Sequence, residues 1–165
     1  MRAAALALSA LLAAGCASFD GSSLVPGRST RAEVLQVMGP ASDEIAAEDG
    51  GALLYFSRLP TGRRNFVARL DKDGVLQSIE QRLTRESLSK LVSGTTTTKD
   101  VRALLGPPAR TTRMERQARD AWEYEYYYYQ ERRVVWVQFS DDGVVQEVLD
   151  MIDWSAYPPS GRSRR

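Results

Sequence analysis

The chain contains no histidine and a single cysteine. Without an imidazole it lacks the side chain that ordinarily serves as a base near neutral pH, and the commonest zinc ligand. Without a second thiol it forms no internal disulfide, so its stability comes from packing. Charge of one sign is missing too: 22 basic residues stand against 21 acidic ones, net +1, which gives no field for nucleic acid or for a whole anionic membrane. No apolar stretch is long enough to cross a bilayer. The one hydrophobic run, residues 3–14, falls short of the roughly 20 residues a spanning helix needs. No Gly-x-Ser-x-Gly elbow occurs, and the literal Ser-x-x-Lys match at Ser87 and Lys90 lies in an amphipathic helical pattern that reads as surface. The acidic stretches around Asp71 and Asp73, and around Asp141 and Asp142, lack the later oxygen ligands of a calcium loop and read as hairpin turns. The residues point away from catalysis, and they imply no cofactor and no metal.

The first feature present is the leader. Arg2 opens a short apolar run that ends in Leu11-Leu12-Ala13-Ala14-Gly15-Cys16, with the chain's one thiol placed directly after small residues. This pattern looks like a bacterial lipoprotein signal, in which residues 1–15 are removed and Cys16 becomes an acylated N-terminus. An ordinary secretory leader with an incidental cysteine is the alternative. Several acyl chains, at about 0.8 kcal/mol per buried CH₂, hold a protein at a membrane where one chain is marginal. Ala17, not an acidic residue, follows the cysteine. By resemblance to sorted lipoproteins this favours an outer-membrane, periplasm-facing location.

The mature part contains a repeat. Residues 27–40, with Thr30, Glu33, Val34, Val37, Met38, Gly39 and Pro40, align with residues 94–108, with Thr97, Asp100, Val101, Leu104, Leu105, Gly106 and Pro107, at an offset of 67. That register runs without a gap to Tyr55 and Trp122. Residues 66–79 align with 135–148 at an offset of 69, so the second copy carries two extra residues, which a hairpin loop between the blocks would absorb. Each copy reads as a capped amphipathic helix, with Gly39 or Gly106 as a left-handed cap, followed by a polar loop and a three-stranded antiparallel meander. The strands are expected at 53–58, 65–70 and 75–79, and at 122–129, 134–140 and 144–149. A further helix is expected around Leu88 and Leu91. Its counterpart, residues 17–25, is Gly/Ser-rich and reads as tether. The fold class is α+β, twice: residues 1–15 signal peptide, 16–25 tether, 26–82 first repeat, 83–154 second repeat, 155–165 disordered tail.

The second copy, with Thr97-x-x-Asp100-Val101, then Leu104-Leu105-Gly106-Pro107-Pro108, then Trp122-x-Tyr124, and Val137-x-Phe139 before Gly143-Val144, resembles the BamE (SmpA/OmlA) family of small outer-membrane lipoproteins. The first copy departs from it, with Tyr55-x-Ser57 where the second has Trp122-x-Tyr124. The tandem arrangement is also similar to the β-lactamase inhibitor protein-like fold, in which two helix-plus-sheet units present one concave surface. The resemblance implies an accessory protein of outer-membrane assembly, with assembly subunits or another periplasmic protein as partners, a membrane reached through the N-terminal lipid, and anionic phospholipid as a further contact.

Alternation along residues 122–129 places Trp122, Tyr124, Tyr126 and Tyr128 toward the helices, and Glu123, Glu125, Tyr127 and Tyr129 on a solvated face. Trp136 falls outward on the next strand. Tyr127, Tyr129 and Trp136 are therefore the candidate partner-binding residues, since exposed Tyr and Trp are enriched at interfaces. The competing reading is cross-strand aromatic pairing, or burial of one copy by the other. Arg110, Arg113, Arg116 and Arg119, with Arg63-Arg64 and Arg132-Arg133, read as loop charge. The function expected is that of an envelope-assembly scaffold; the alternative is an inhibitor-like or sensor module that binds a periplasmic enzyme.

Overall fold

The computed structural model describes residues 20–157. The expected signal peptide, the lipidation site at Cys16 and residues 158–165 lie outside them. In the first repeat, helix α1 (Arg31–Met38) packs on an antiparallel sheet of β1 (Asp43–Ala46), β2 (Ala52–Ser57), β3 (Asn65–Leu70) and β4 (Leu76–Gln81). A single-turn helix, α2 (Arg85–Leu88), leads into the second repeat, where α3 (Thr98–Leu105) packs on β5 (Arg110–Met114), β6 (Arg119–Tyr128), β7 (Glu131–Phe139) and β8 (Val145–Ile152). The α+β tandem stands, with four strands per sheet rather than three. The stretch read as a polar loop supplies an edge strand in each copy. β5 is exposed along nearly its whole length and carries no hydrophobic alternation, because an edge strand is held by its backbone ladder and kept polar.

Local chemistry repeats closely. Thr30 and Glu33 form a full capping box, as do Thr97 and Asp100. Val34 and Met38, and Val101 and Leu105, are the buried residues of the two helical stripes. The start of each helix is stitched to the Asp-Gly hairpin turn: the Arg31 N–H donates to the Gly74 carbonyl and the Thr98 N–H to the Gly143 carbonyl, both at 2.8 Å. Both third strands shift register at one place, Arg69/Leu70 and Gln138/Phe139. The caps differ from the left-handed form expected. Gly39 (φ 86, ψ −169) and Gly106 (φ 80, ψ −165) occupy an extended positive-φ region that only glycine enters readily.

The alignment of Tyr55 with Trp122 is one residue out. Tyr55 pairs across the sheet with Val67, and the matching pair in the second sheet is Glu123 with Trp136. One extra residue therefore lies between β5 and β6 and the second between β6 and β7. A one-residue slip exchanges the faces of a strand. Leu54 and Phe56, not Tyr55, occupy the inward positions held by Trp122 and Tyr124, and Tyr55 points out of the back of the first sheet.

There it meets the second repeat. The Tyr55 hydroxyl donates to the Ala103 carbonyl at 2.7 Å, and the Asn65 amide donates to the Leu105 carbonyl. Asp43 pairs with Arg102 Nε at 2.8 Å. The last carbonyls of a helix have no intrahelical partner, and here the first repeat caps those of α3. Tyr55, Asn65 and Val67 are fully or almost fully buried, so the first sheet is covered on both faces. Burial pushes the Tyr55 hydroxyl up to about 12.

The domain boundaries move at both ends. The tether expected over 16–25 ends early: Gly21 (φ 69) lies so close to the first core that a Cβ on it would stand 2.5 Å from Ile79 Cδ1 and 3.2 Å from Met38 Sδ, and Leu24 packs on that core. Residues 155–157, expected within a disordered tail, are structured. Asp153 caps a 3₁₀ turn, Trp154–Ala156, and the Tyr157 hydroxyl accepts from the Arg132 N–H at 3.1 Å.

The two cap glycines make a paired test. Gly39→Ala meets no neighbour within 4 Å, whereas Gly106→Ala brings a Cβ to 2.7 Å from Tyr55 Cδ1 and closer still to the Asn65 amide. Both substitutions carry the cost of a non-glycine residue in this region, about 1–3 kcal/mol, and Gly106→Ala adds an overpacking cost of about 1–3 kcal/mol. Urea denaturation is expected to rank Gly106→Ala as the more destabilised.

Candidate functional site

The outward face of the second sheet carries the aromatic side chains singled out from the sequence, and the structure separates them. Trp136, partly exposed, pairs in register with Glu123, and its indole N–H donates to the Glu123 carboxylate at 3.2 Å. Tyr127, half-exposed, pairs with Arg132. These positions are four residues apart along β6, about 14 Å. Trp136 borders a shallow groove with Thr112, Met114, Ala121 and Glu123. Tyr129 sits in the β6–β7 turn at φ 53, 87% exposed, its ring edge-on to Tyr128 at 4.7 Å.

What divides them is a side chain of the first repeat. β5 ends at Arg110 opposite Glu123, so β6 from Tyr124 onward has no strand on that side. The loop between β2 and β3 serves this edge from both faces: Leu59 packs against the second core, and Arg63 reaches the Glu125 carboxylate at 2.6 Å and that of Asp153 at 3.7 Å. The Arg63 guanidinium also stands 5.8 Å from the centre of the Tyr127 ring. The face read as solvated around Glu123 and Glu125 is thus largely covered. A covered ion pair of this kind gains little net stability because both charges lose water, but it fixes geometry, since either charge alone would be costly to bury.

Other arginines read as loop charge are also engaged. Arg113 meets Asp141 at 2.7 Å, Arg119 meets Glu147 at 3.2 Å, and Arg133 meets Asp150 at 2.7 Å. Asp150 also accepts from the Tyr126 hydroxyl at 2.8 Å. Burial and this acceptor together push Tyr126 up to about 12. Arg85 lies over the Tyr128 ring at 4.5 Å and closes this end of the core. Ser87 is buried rather than surface, in hydrogen-bond contact with Thr84, and Lys90 pairs with Glu86. Among the described residues no group of three or more His, Cys, Asp or Glu is placed to hold a metal.

Two aromatic residues escaped the sequence reading. The Arg132 backbone is a hub at the end of the second sheet. Its N–H donates to the Tyr157 hydroxyl, its carbonyl accepts from the Asp153 N–H at 2.8 Å, and it faces Tyr127 in the ladder. Trp154, 71% exposed, stacks edge-on with Tyr157 at 6.3 Å. Tyr127, Trp154 and Tyr157 therefore form one exposed rim around Arg132, Tyr129 stands in the adjoining turn against Tyr128, and Trp136 belongs to the separate groove. The pattern Asp153-x-Ser155, an N-cap signal, was the clue that structure continued past 154.

Residues 81–148 match the family model described as the outer membrane protein assembly factor BamE domain. The match covers α2, α3 and most of the second sheet, the stretch whose motifs carried the resemblance. No curated protein matches the chain. Among solved structures, a DUF4309 family protein (YjgB) from Bacillus subtilis is similar at 16% identity, covering 79% of this chain and 83% of that one with a TM-score of 0.30, a likeness too distant to carry an argument.

Asp153 ties the rim to the Arg63 side chain of the first repeat. Its carboxyl is held below the usual range, first by the Ser155 hydroxyl and then by Arg132 and Arg63. A lowered folded-state value contributes stability above an unfolded value of about 4, and that stability is lost as pH falls below it. Thermal midpoints measured downward from pH 6 are expected to fall more steeply in the native chain than in Asp153→Asn.

Proposed function

We propose that this chain is a non-catalytic lipoprotein, anchored to the outer membrane through Cys16 and facing the periplasm, that acts as an accessory scaffold in outer-membrane protein assembly. The observation that carries the reading is the joining, in one chain, of a domain matching the assembly-factor family over residues 81–148 with a leader ending Ala13-Ala14-Gly15-Cys16. A lipid anchor keeps such a protein where assembly takes place, and a folded, ion-pair-locked body presents a fixed surface to partners.

The rim of Tyr127, Trp154 and Tyr157, with Tyr129 in the turn beside it, is the surface we assign to protein contact. Large, rigid, amphipathic rings lose little conformational entropy on binding and are enriched among residues that dominate interface energies. Trp136, beside Met114 and Ala121, offers a second, smaller contact. Arg63, Arg132 and Arg133 of the hairpin loops are occupied by carboxylates, so the reading rests on protein contact and the acyl anchor, with anionic phospholipid left to the exposed Arg64 and Arg116.

Purification of the full-length protein from its native envelope in mild detergent, with Cys16→Ser as the unanchored control, tests this. Outer-membrane assembly subunits are expected as stoichiometric companions, lost in the control. Tyr127→Ala with Trp154→Ala is expected to weaken that association by about tenfold or more, the scale of one or two interface hot spots, while leaving the melting temperature within a few degrees. A soluble enzyme retained in both samples would instead support the inhibitor-like reading.

A further inference from the structure

The two repeats differ most where each receives the chain from its N-terminal side. In the second, α2 delivers the buried Leu88 to the core. In the first, the position 67 residues earlier is Gly21, and the chain there runs through tight turns: the Leu24 N–H donates to the Gly21 carbonyl at 2.9 Å, and the Ser29 N–H to the Val25 carbonyl at 2.9 Å. Gly21 is buried and Leu24 rests on the first core. From Gly21 onward the chain is therefore fixed on the folded body.

From Cys16 to Gly21 is five Cα-to-Cα steps. At no more than about 3.3–3.6 Å each, they span at most about 17–18 Å. A domain of this length has a radius of gyration of about 14 Å and a diameter on the order of 35 Å. The longest separation the span permits is about half the width of the body it holds.

We infer that the bilayer surface is itself the partner of the first repeat: the short span holds the turn around Val25, Pro26 and Arg28 against the lipid headgroups, so this face is closed to other proteins. Val25 is 52% exposed, and Pro26 and Arg28 are exposed beside it, a small apolar and cationic surface suited to a headgroup layer. The inference rests on the reading of Cys16 as the acylated residue. It also bears on the second repeat, whose aromatic rim reaches partners from a body that stays at the membrane.

The test uses the full-length acylated protein in vesicles of phosphatidylethanolamine and phosphatidylglycerol that carry a headgroup-attached quencher. A fluorophore is placed on Val25→Cys, whose native side chain makes none of the bonds of its turn. Acylated Cys16 does not compete for the label. A second chain carries twenty Gly/Ser residues inserted between Ala17 and Ser18, which raises the root-mean-square span to roughly 28 Å and the maximum several-fold. Strong quenching with the native span, lost on insertion, is the expected result. Weak quenching with the native span, or equal quenching in both chains, would overturn the inference. The mass of the N-terminal peptide separates the two claims: an acylated chain with weak quenching sinks the short-span inference alone, whereas absence of the acyl group sinks the anchoring reading and this inference with it.

Discussion

The C-terminal end of α3 is the constraint on which the rest of the molecule depends. Its final carbonyls have no partner within the helix, and the first repeat supplies them: Tyr55 to Ala103 and Asn65 to Leu105, with Tyr124 of the second repeat donating to Gly106 at 3.0 Å. Buried carbonyls left unpaired would each cost on the order of 1–3 kcal/mol, so the second repeat is incomplete without the first. Gly106 is required by the same geometry, because the Tyr55 ring and the Asn65 amide occupy the space a Cβ would need. Two units that look interchangeable in sequence are joined by an asymmetric contact, the back of one sheet against the helix end of the other.

That asymmetry explains what was legible in the sequence and what was not. The helices, their capping boxes, the Asp-Gly turns and β3 follow from local signals: a hydroxyl three residues before a carboxylate, an apolar pair at helical spacing, a positive-φ glycine. The inward aromatics Tyr124 and Tyr126, and the outward Tyr127 and Trp136, follow from the two-residue period of a strand, whereas Tyr129 is exposed because it stands in the turn beyond β6. β1 and β5 were invisible because a polar edge strand is specified by its neighbour's backbone and not by its own side chains. Tyr55 was aligned with Trp122 instead of Glu123 because one extra residue between β5 and β6 leaves no compositional trace, yet reverses a face. The seam itself, with Asn65 and Arg63, has no sequence signature at all, since its partners are 40 to 90 residues away.

The same contacts shape the candidate binding surface. Arg63 crosses the free edge of β6 to Glu125 and Asp153, dividing an outward face that would otherwise run from Trp136 to Tyr127. It thereby concentrates exposed rings in the rim around Arg132, where β8 and its 3₁₀ turn bring Trp154 and Tyr157 to Tyr127. The first repeat thus acts as a brace for the repeat that matches the BamE domain model. Gly21, close against Met38 and Ile79, is part of that brace.

If the brace is real, the two repeats unfold together. All three tryptophans, Trp122, Trp136 and Trp154, lie in the second repeat, so tryptophan fluorescence reports that repeat alone, whereas far-ultraviolet circular dichroism reports both sheets. Urea unfolding of the native chain followed by the two signals is the most direct measurement. A single transition with coincident midpoints is the result this structure predicts; two steps, with fluorescence and dichroism parting, would contradict it.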